Sequence, residues 1–192
     1  MGNKQTTFTA ETFSSIKACT NFSRSKILTL FKRFRDLDPH RVPPTMLTPE
    51  ALNTTVSQEL LLKVPELVNN PFRDRILYIF SHDRINNPGD LSFLNFVELF
   101  NFLDEQTSKM QKLFYAFKIF DCDNDGAISG PDIVDCLSRI TDNALTRQET
   151  TNVFKNVIRE GEQDGDDQIS FIEFESLLLR SQDFMNHFTI RL

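Results

Sequence analysis

The sequence predicts an all-α protein of two lobes, and three observations carry that reading. Apolar side chains recur at helical spacing along most of the chain, no segment alternates convincingly as a strand would, and a break near mid-chain divides the helices into two sets. The 192 residues suffice for two lobes, each of roughly a hundred residues with its own core.

The helical spacing is written mainly in phenylalanine, of which there are 19 and no tryptophan. Ile27, Leu28, Phe31 and Phe34 form one stripe, Phe93, Phe96, Phe100 and Leu103 a second, and Leu113, Phe114, Phe117 and Phe120 a third. Boundary signals agree. Asn70-Pro71 offers a cap and a first-turn proline before Phe72 to Phe80, and Thr146-Arg147-Gln148-Glu149 is a capping box before Val153 to Ile158. Between Leu37 and Glu59 four prolines (Pro39, Pro43, Pro44, Pro49) and little periodicity predict a long loop. With a break at Asp104 to Thr107, the expected organisation is an N-terminal segment over 1–22, a first lobe over 23–104, a second lobe over 105–180 and a tail over 181–192.

Composition narrows the class. Apolar residues are 40% and charged residues 25%, ordinary globular values, and no apolar run approaches the roughly twenty residues of a membrane span. The start lacks the apolar stretch of a secretory signal, and Cys19, Cys122 and Cys136 form no recognisable disulfide or metal pattern, so a reducing cytosol is expected. The net charge of −6 repels nucleic acid. Residues 1–35 carry a local +6 and the rest −12, a basic head on an acidic body.

Chemistry concentrates in the second half. Asp121-Cys122-Asp123-Asn124-Asp125-Gly126-Ala127-Ile128-Ser129-Gly130-Pro131-Asp132 lies between helical segments and has the form of an EF-hand loop. Carboxylates of Asp121, Asp123 and Asp125 converge on one point, the Ala127 carbonyl adds a further oxygen, Ser129 contributes directly or through water, and Gly126 permits the left-handed turn. Asp132 closes the loop where Glu is usual; its shorter reach makes Mg²⁺ a serious competitor for Ca²⁺. About forty residues on, Glu162-Gln163-Asp164-Gly165-Asp166-Asp167-Gln168-Ile169-Ser170-Phe171-Ile172-Glu173 repeats the pattern, with Glu162, Asp164, Asp166, the Gln168 carbonyl, Ser170 and a bidentate Glu173 as ligands. Asp167 stands where glycine is usual, a strain of about 1 kcal/mol that Asp tolerates better than most residues. Such loops come in pairs that touch through a short β contact, so Ile128 and Ile169 are expected back to back.

The first half holds two worn hands, which completes an expectation of four hands in two pairs. In Ser81 to Asn95 the acidic ladder has become Arg84, Asn86 and Pro88, with too few carboxylates for a cation, and the prolines after Asp36-Leu37-Asp38 break any twelve-residue loop. Met1-Gly2-Asn3-Lys4-Gln5-Thr6 fits the N-myristoylation pattern at Gly2, and the basic head supplies the second signal that stable attachment to anionic membrane needs. His40, His82 and His187 fall in unrelated contexts and no glycine-rich phosphate loop occurs, so no enzyme activity is expected.

At this point the chain resembles the calcium- and integrin-binding family. The start Met1 to Thr6, Pro65-Glu66-Leu67 with Asn70-Pro71-Phe72-Arg73, Tyr115-Ala116-Phe117-Lys118-Ile119, and Asp183-Phe184 with Phe188-Thr189-Ile190-Arg191 carry the likeness. The first six residues look most like the branch linked to hair-cell mechanotransduction. Calcineurin B-like phosphatase subunits share the proline-glutamate-leucine segment but not the ending. The resemblance implies a two-lobed adaptor with metal in its third and fourth hands and a hydrophobic groove that receives a helix. Phe96, Phe100, Leu103, Phe114 and Phe117 are candidates to line that groove, and Phe184, Phe188 and Ile190 in the tail to cover it. It also implies partners such as integrin α cytoplasmic tails or transmembrane channel-like (TMC) proteins, at the inner face of the plasma membrane. A regulatory subunit of an enzyme such as a phosphatase, and a cytosolic Ca²⁺ buffer, are the alternatives.

Overall fold

A computed structural model describes residues 6–161 and 164–179. They form two compact units, the first ending at Thr107 and the second beginning at Ser108.

In the first unit, α1 (Ala10–Cys19) starts where the Thr9 hydroxyl accepts the Thr12 N–H, and α2 (Arg24–Leu37) starts where Ser23 accepts the Lys26 N–H. The proline-rich stretch is less featureless than its sequence suggests. It holds α3 (Pro49–Leu52), capped by Thr48, then β1 (Thr55–Val56) and α4 (Gln58–Leu61). Elements of two to four residues are too short to show a period, which is why they read as loop. The next helix also differs from expectation: Asn70 accepts the Phe72 N–H in a turn, and α5 (Arg73–Phe80) begins only after it.

β2 (Leu91–Ser92) pairs antiparallel with β1, Val56 opposite Leu91 and Thr55 opposite Ser92, and leads directly into α6 (Phe93–Leu103). The two worn loops therefore keep the pairing of a two-hand lobe without its ligands. Asp83 shows what has replaced an ion, because its carboxylate accepts the Ile85 and Asn86 N–H groups and the side-chain amides of Asn86 and Asn87. Those donors, Asn86 first, hold the Asp83 carboxyl below the usual carboxylate range. Arg84 turns away to donate to the Ile79 carbonyl.

The core of this unit is aromatic. Phe8, Phe34, Phe93, Phe96 and Phe100 are almost wholly buried, and Phe8 packs on Phe13, Phe31 and Phe93 with ring centroids 5.1 Å apart in each case. Thr7 and Met46 fix the approach to Phe8 through a backbone hydrogen bond of 2.7 Å. Lys26 pairs with Asp104, and Arg33 with Glu66 at 2.7 Å, so part of the basic head is spent inside the unit.

In the second unit, α7 (Lys109–Phe120) and α8 (Gly130–Thr141) flank one acidic loop, and α9 (Arg147–Gly161) and α10 (Phe171–Leu179) flank the other. The capping box of α9 forms, with the Thr146 N–H donating to Glu149 at 2.9 Å and the Glu149 N–H to the Thr146 hydroxyl at 3.3 Å. Leu113, Ala116, Phe117, Ile128, Ile133, Ile158, Ile169, Phe174 and Leu178 form the core. No helix among the described residues is long and apolar enough to cross a membrane.

Candidate metal centre

The third hand is built from the end of α7 to the first turn of α8. Asp121 caps α7 and is 5% exposed, and its carboxylate accepts the N–H groups of Asp125 at 3.1 Å and Gly126 at 3.2 Å. The loop curls tightly enough for this because Asn124 (φ 63°) and Gly126 (φ 96°) both take the left-handed conformation. Asp132, 2% exposed, reaches back across the loop: one oxygen accepts the Cys122 N–H at 2.8 Å, the other the Ser129 N–H at 2.8 Å and hydroxyl at 2.6 Å. The last position of the loop thus also closes the capping box in the first turn of α8.

Asp121, Asp123 and Asp132 each bring a carboxylate oxygen to within 4.8 Å of the others. Asp125 directs an oxygen to the Ala127 N–H at 2.9 Å. Burial pushes the Asp121 carboxyl up and the charges of Asp125 and Asp132 add to the effect, while the N–H groups of Gly126 and Asn124 oppose it. Crowded, partly desolvated carboxylates are a poor arrangement without a cation and a good one around it; hard oxygen donors at this spacing fit Ca²⁺ or Mg²⁺.

The fourth hand follows the same plan. Gly165 (φ 88°) and Asp167 (φ 60°) occupy the two left-handed positions, so Asp167 does adopt the conformation usually given to glycine. Asp166 accepts the Gln168 N–H at 2.8 Å, and Glu173, 6% exposed, accepts the Ser170 N–H at 2.8 Å and hydroxyl at 2.7 Å. Asp164 lies exposed in the loop; Glu162 is outside the described residues. Ile128 and Ile169 exchange backbone hydrogen bonds, both 2.9 Å, which joins the two loops.

Phe96, Phe100, Leu103 and Phe117 are buried in the cores of their units, whereas Phe114 is 44% exposed. The aromatic packing that made these residues candidates for a groove is the packing that fills the interior. Phe114 stands beside Phe171, ring centroids 6.4 Å apart, and Met110 and Ile172 are exposed on the same two helices, α7 and α10. Gly2, Phe184, Phe188 and Ile190 lie outside the described residues. One feature had no signal in the sequence: Cys122 and Cys136, fourteen residues apart, bring their sulfurs to 3.9 Å.

A family model for an EF-hand domain pair matches residues 110–179, both acidic loops and their helices. Calcium and integrin-binding family member 2 of Drosophila melanogaster is 42% identical over the full length of both chains. The chain belongs to the calcium- and integrin-binding family. Human family members 3 and 2 are similarly related, at 37% and 38% identity, again over the full length of both chains. Full-length coverage extends the kinship beyond the paired hands to the worn first lobe, which no EF-hand pattern alone would identify.

Proposed function

We propose that this protein is a Ca²⁺- or Mg²⁺-dependent regulatory adaptor whose second unit presents an apolar face to an amphipathic helix of a membrane protein. The observation that carries the reading is the convergence of the Asp121, Asp123 and Asp132 carboxylates at the junction of α7 and α8. The divalent ion supplies the positive charge that holds these oxygens together. The chain's own residues do the rest. Asp121 caps the end of α7, Asp132 lies in the first turn of α8, and drawing them together sets the angle between the helices. Ile128 and Ile169 tie that angle to the fourth hand. The exposed Met110, Phe114 and Ile172 are the proposed seat for the apolar side of the incoming helix.

Relatives named for integrin binding support an integrin α cytoplasmic tail as partner. A TMC channel subunit is the alternative favoured by the first six residues. Acylation at Gly2 beside the basic head would place the adaptor at the inner face of the plasma membrane, within reach of either partner. Calorimetry with a synthetic partner helix tests the reading: tight binding with Ca²⁺ or Mg²⁺, weakened in EDTA and in Asp121→Ala, is expected. Equal affinity under all conditions would take the ion out of the mechanism.

A further inference from the structure

We propose that Cys122 and Cys136 form a reversible intramolecular disulfide that staples the third hand's loop to α8 and thereby tightens its hold on a divalent ion. Cys122 occupies the loop's second position, directly after the first ligand, and Cys136 lies on α8, one turn beyond the last ligand, Asp132. Their sulfurs stand 3.9 Å apart, close to contact distance, and a disulfide needs them to approach by roughly 2 Å more. The backbone nearby is already held: the Cys122 N–H donates to Asp132 at 2.8 Å, and the Cys136 thiol points at the Phe120 carbonyl, 3.8 Å away.

Access favours an ordered exchange. Cys122 is partly exposed and Cys136 buried. A small disulfide such as oxidised glutathione is the oxidant. The Cys122 thiolate attacks one glutathione sulfur and expels the first glutathione as thiolate; the Cys136 thiolate then attacks Cys122 Sγ and expels the second. One disulfide is broken and one formed, and the two protons released by the protein are taken up by two glutathione thiolates. The hydrogen bond with the Cys136 thiol, then burial, push the Cys122 thiol up, which slows the first attack without altering the balance of the reaction. Reduced thiols reverse it.

The consequence rests on the metal-binding reading; the bond does not. Tying the loop to the helix that carries Asp132 removes open conformations of the ion-free hand, so less order has to be created on binding. In a full-length Cys19→Ser protein only these two thiols remain. Incubated with oxidised glutathione, it should lose about 2 Da with no adduct, and the same protein with Cys136→Ser should instead gain one glutathione. A protein that keeps both thiols, or yields only adducts or dimers, overturns the bond. Calorimetric titration with Ca²⁺ and with Mg²⁺ should then show at least about threefold tighter binding in the oxidised form. Unchanged affinity overturns the consequence. If neither form binds either ion, the metal reading itself has failed, and the mass still judges the bond.

Discussion

Ile128 and Ile169 exchange two backbone hydrogen bonds of 2.9 Å while both side chains sit in the core of the second unit, so one contact serves as strand pairing and as packing. Replacing Ile169 by Ala leaves the backbone pairing possible and removes the buried side chain. A loss of about 3 kcal/mol is expected in denaturant unfolding of the ion-free protein, together with weaker coupling between the two ion-binding steps. A loss below about 1 kcal/mol would show that the side chain contributes little.

Asp167 holds φ 60° without the freedom of glycine. Asp167→Gly should therefore stabilise the ion-free protein by about 1 kcal/mol, an outcome opposite to that of most glycine substitutions. It removes no proposed ligand, so binding at the fourth hand should be kept. A destabilised variant would mean that the aspartate side chain outweighs the backbone strain.

The Asp121 carboxyl is raised by burial, so the folded, ion-free protein holds its proton more tightly than the unfolded chain does. Stability from this group is full at low pH and falls as pH rises through the folded value. Asp121→Asn, which cannot ionise, should flatten that fall and melt higher than the parent in EDTA at neutral pH. It should also lose the stabilisation conferred by Ca²⁺. Melting curves across pH, with and without the ion, read both effects.

Glu149 behaves in the other direction. Its bonds from the Thr146 hydroxyl and N–H lower its pKa, so the stability it lends α9 is present above the unfolded carboxyl value and disappears as pH falls through the folded one. Thr146→Ala should cost about 1 kcal/mol at neutral pH. The deficit should shrink in acid, where protonated Glu149 loses its half of the capping box in the parent while the Thr146 hydroxyl still accepts the Glu149 N–H.

Phe8 is fully buried against three other phenylalanine rings. Phe8→Ala should cost about 4 kcal/mol and release α1 to exchange its amide protons. Unchanged exchange protection over Ala10–Cys19 would show that α1 is held without it.

How much of this was legible in the sequence follows from the length of each signal. Twelve-residue loops with carboxylates at fixed positions, and helices of a dozen residues striped with phenylalanine, are long enough to read, and the Ile128 to Ile169 contact followed from the loop register. The short pieces β1, β2, α3 and α4 were not, because two to four residues carry no period. Stripe membership also said nothing about depth. Phe100 and Phe114 both belong to such stripes, yet one is wholly buried and the other 44% exposed, since only the packing of neighbouring helices decides which flank of a stripe is covered. The sulfur pair was invisible because a fourteen-residue separation becomes a contact only once loop and helix have folded back on each other.

The Asp83 carboxylate is satisfied by N–H donors from its own loop, where the carboxylates of the sister loops would recruit a cation from solution. A loop whose carboxylate is already held by its own donors has little left with which to capture a divalent ion. Among the described residues the gathered carboxylates of Asp121, Asp123 and Asp132 lie in the second unit, which is where a response to divalent ions is expected.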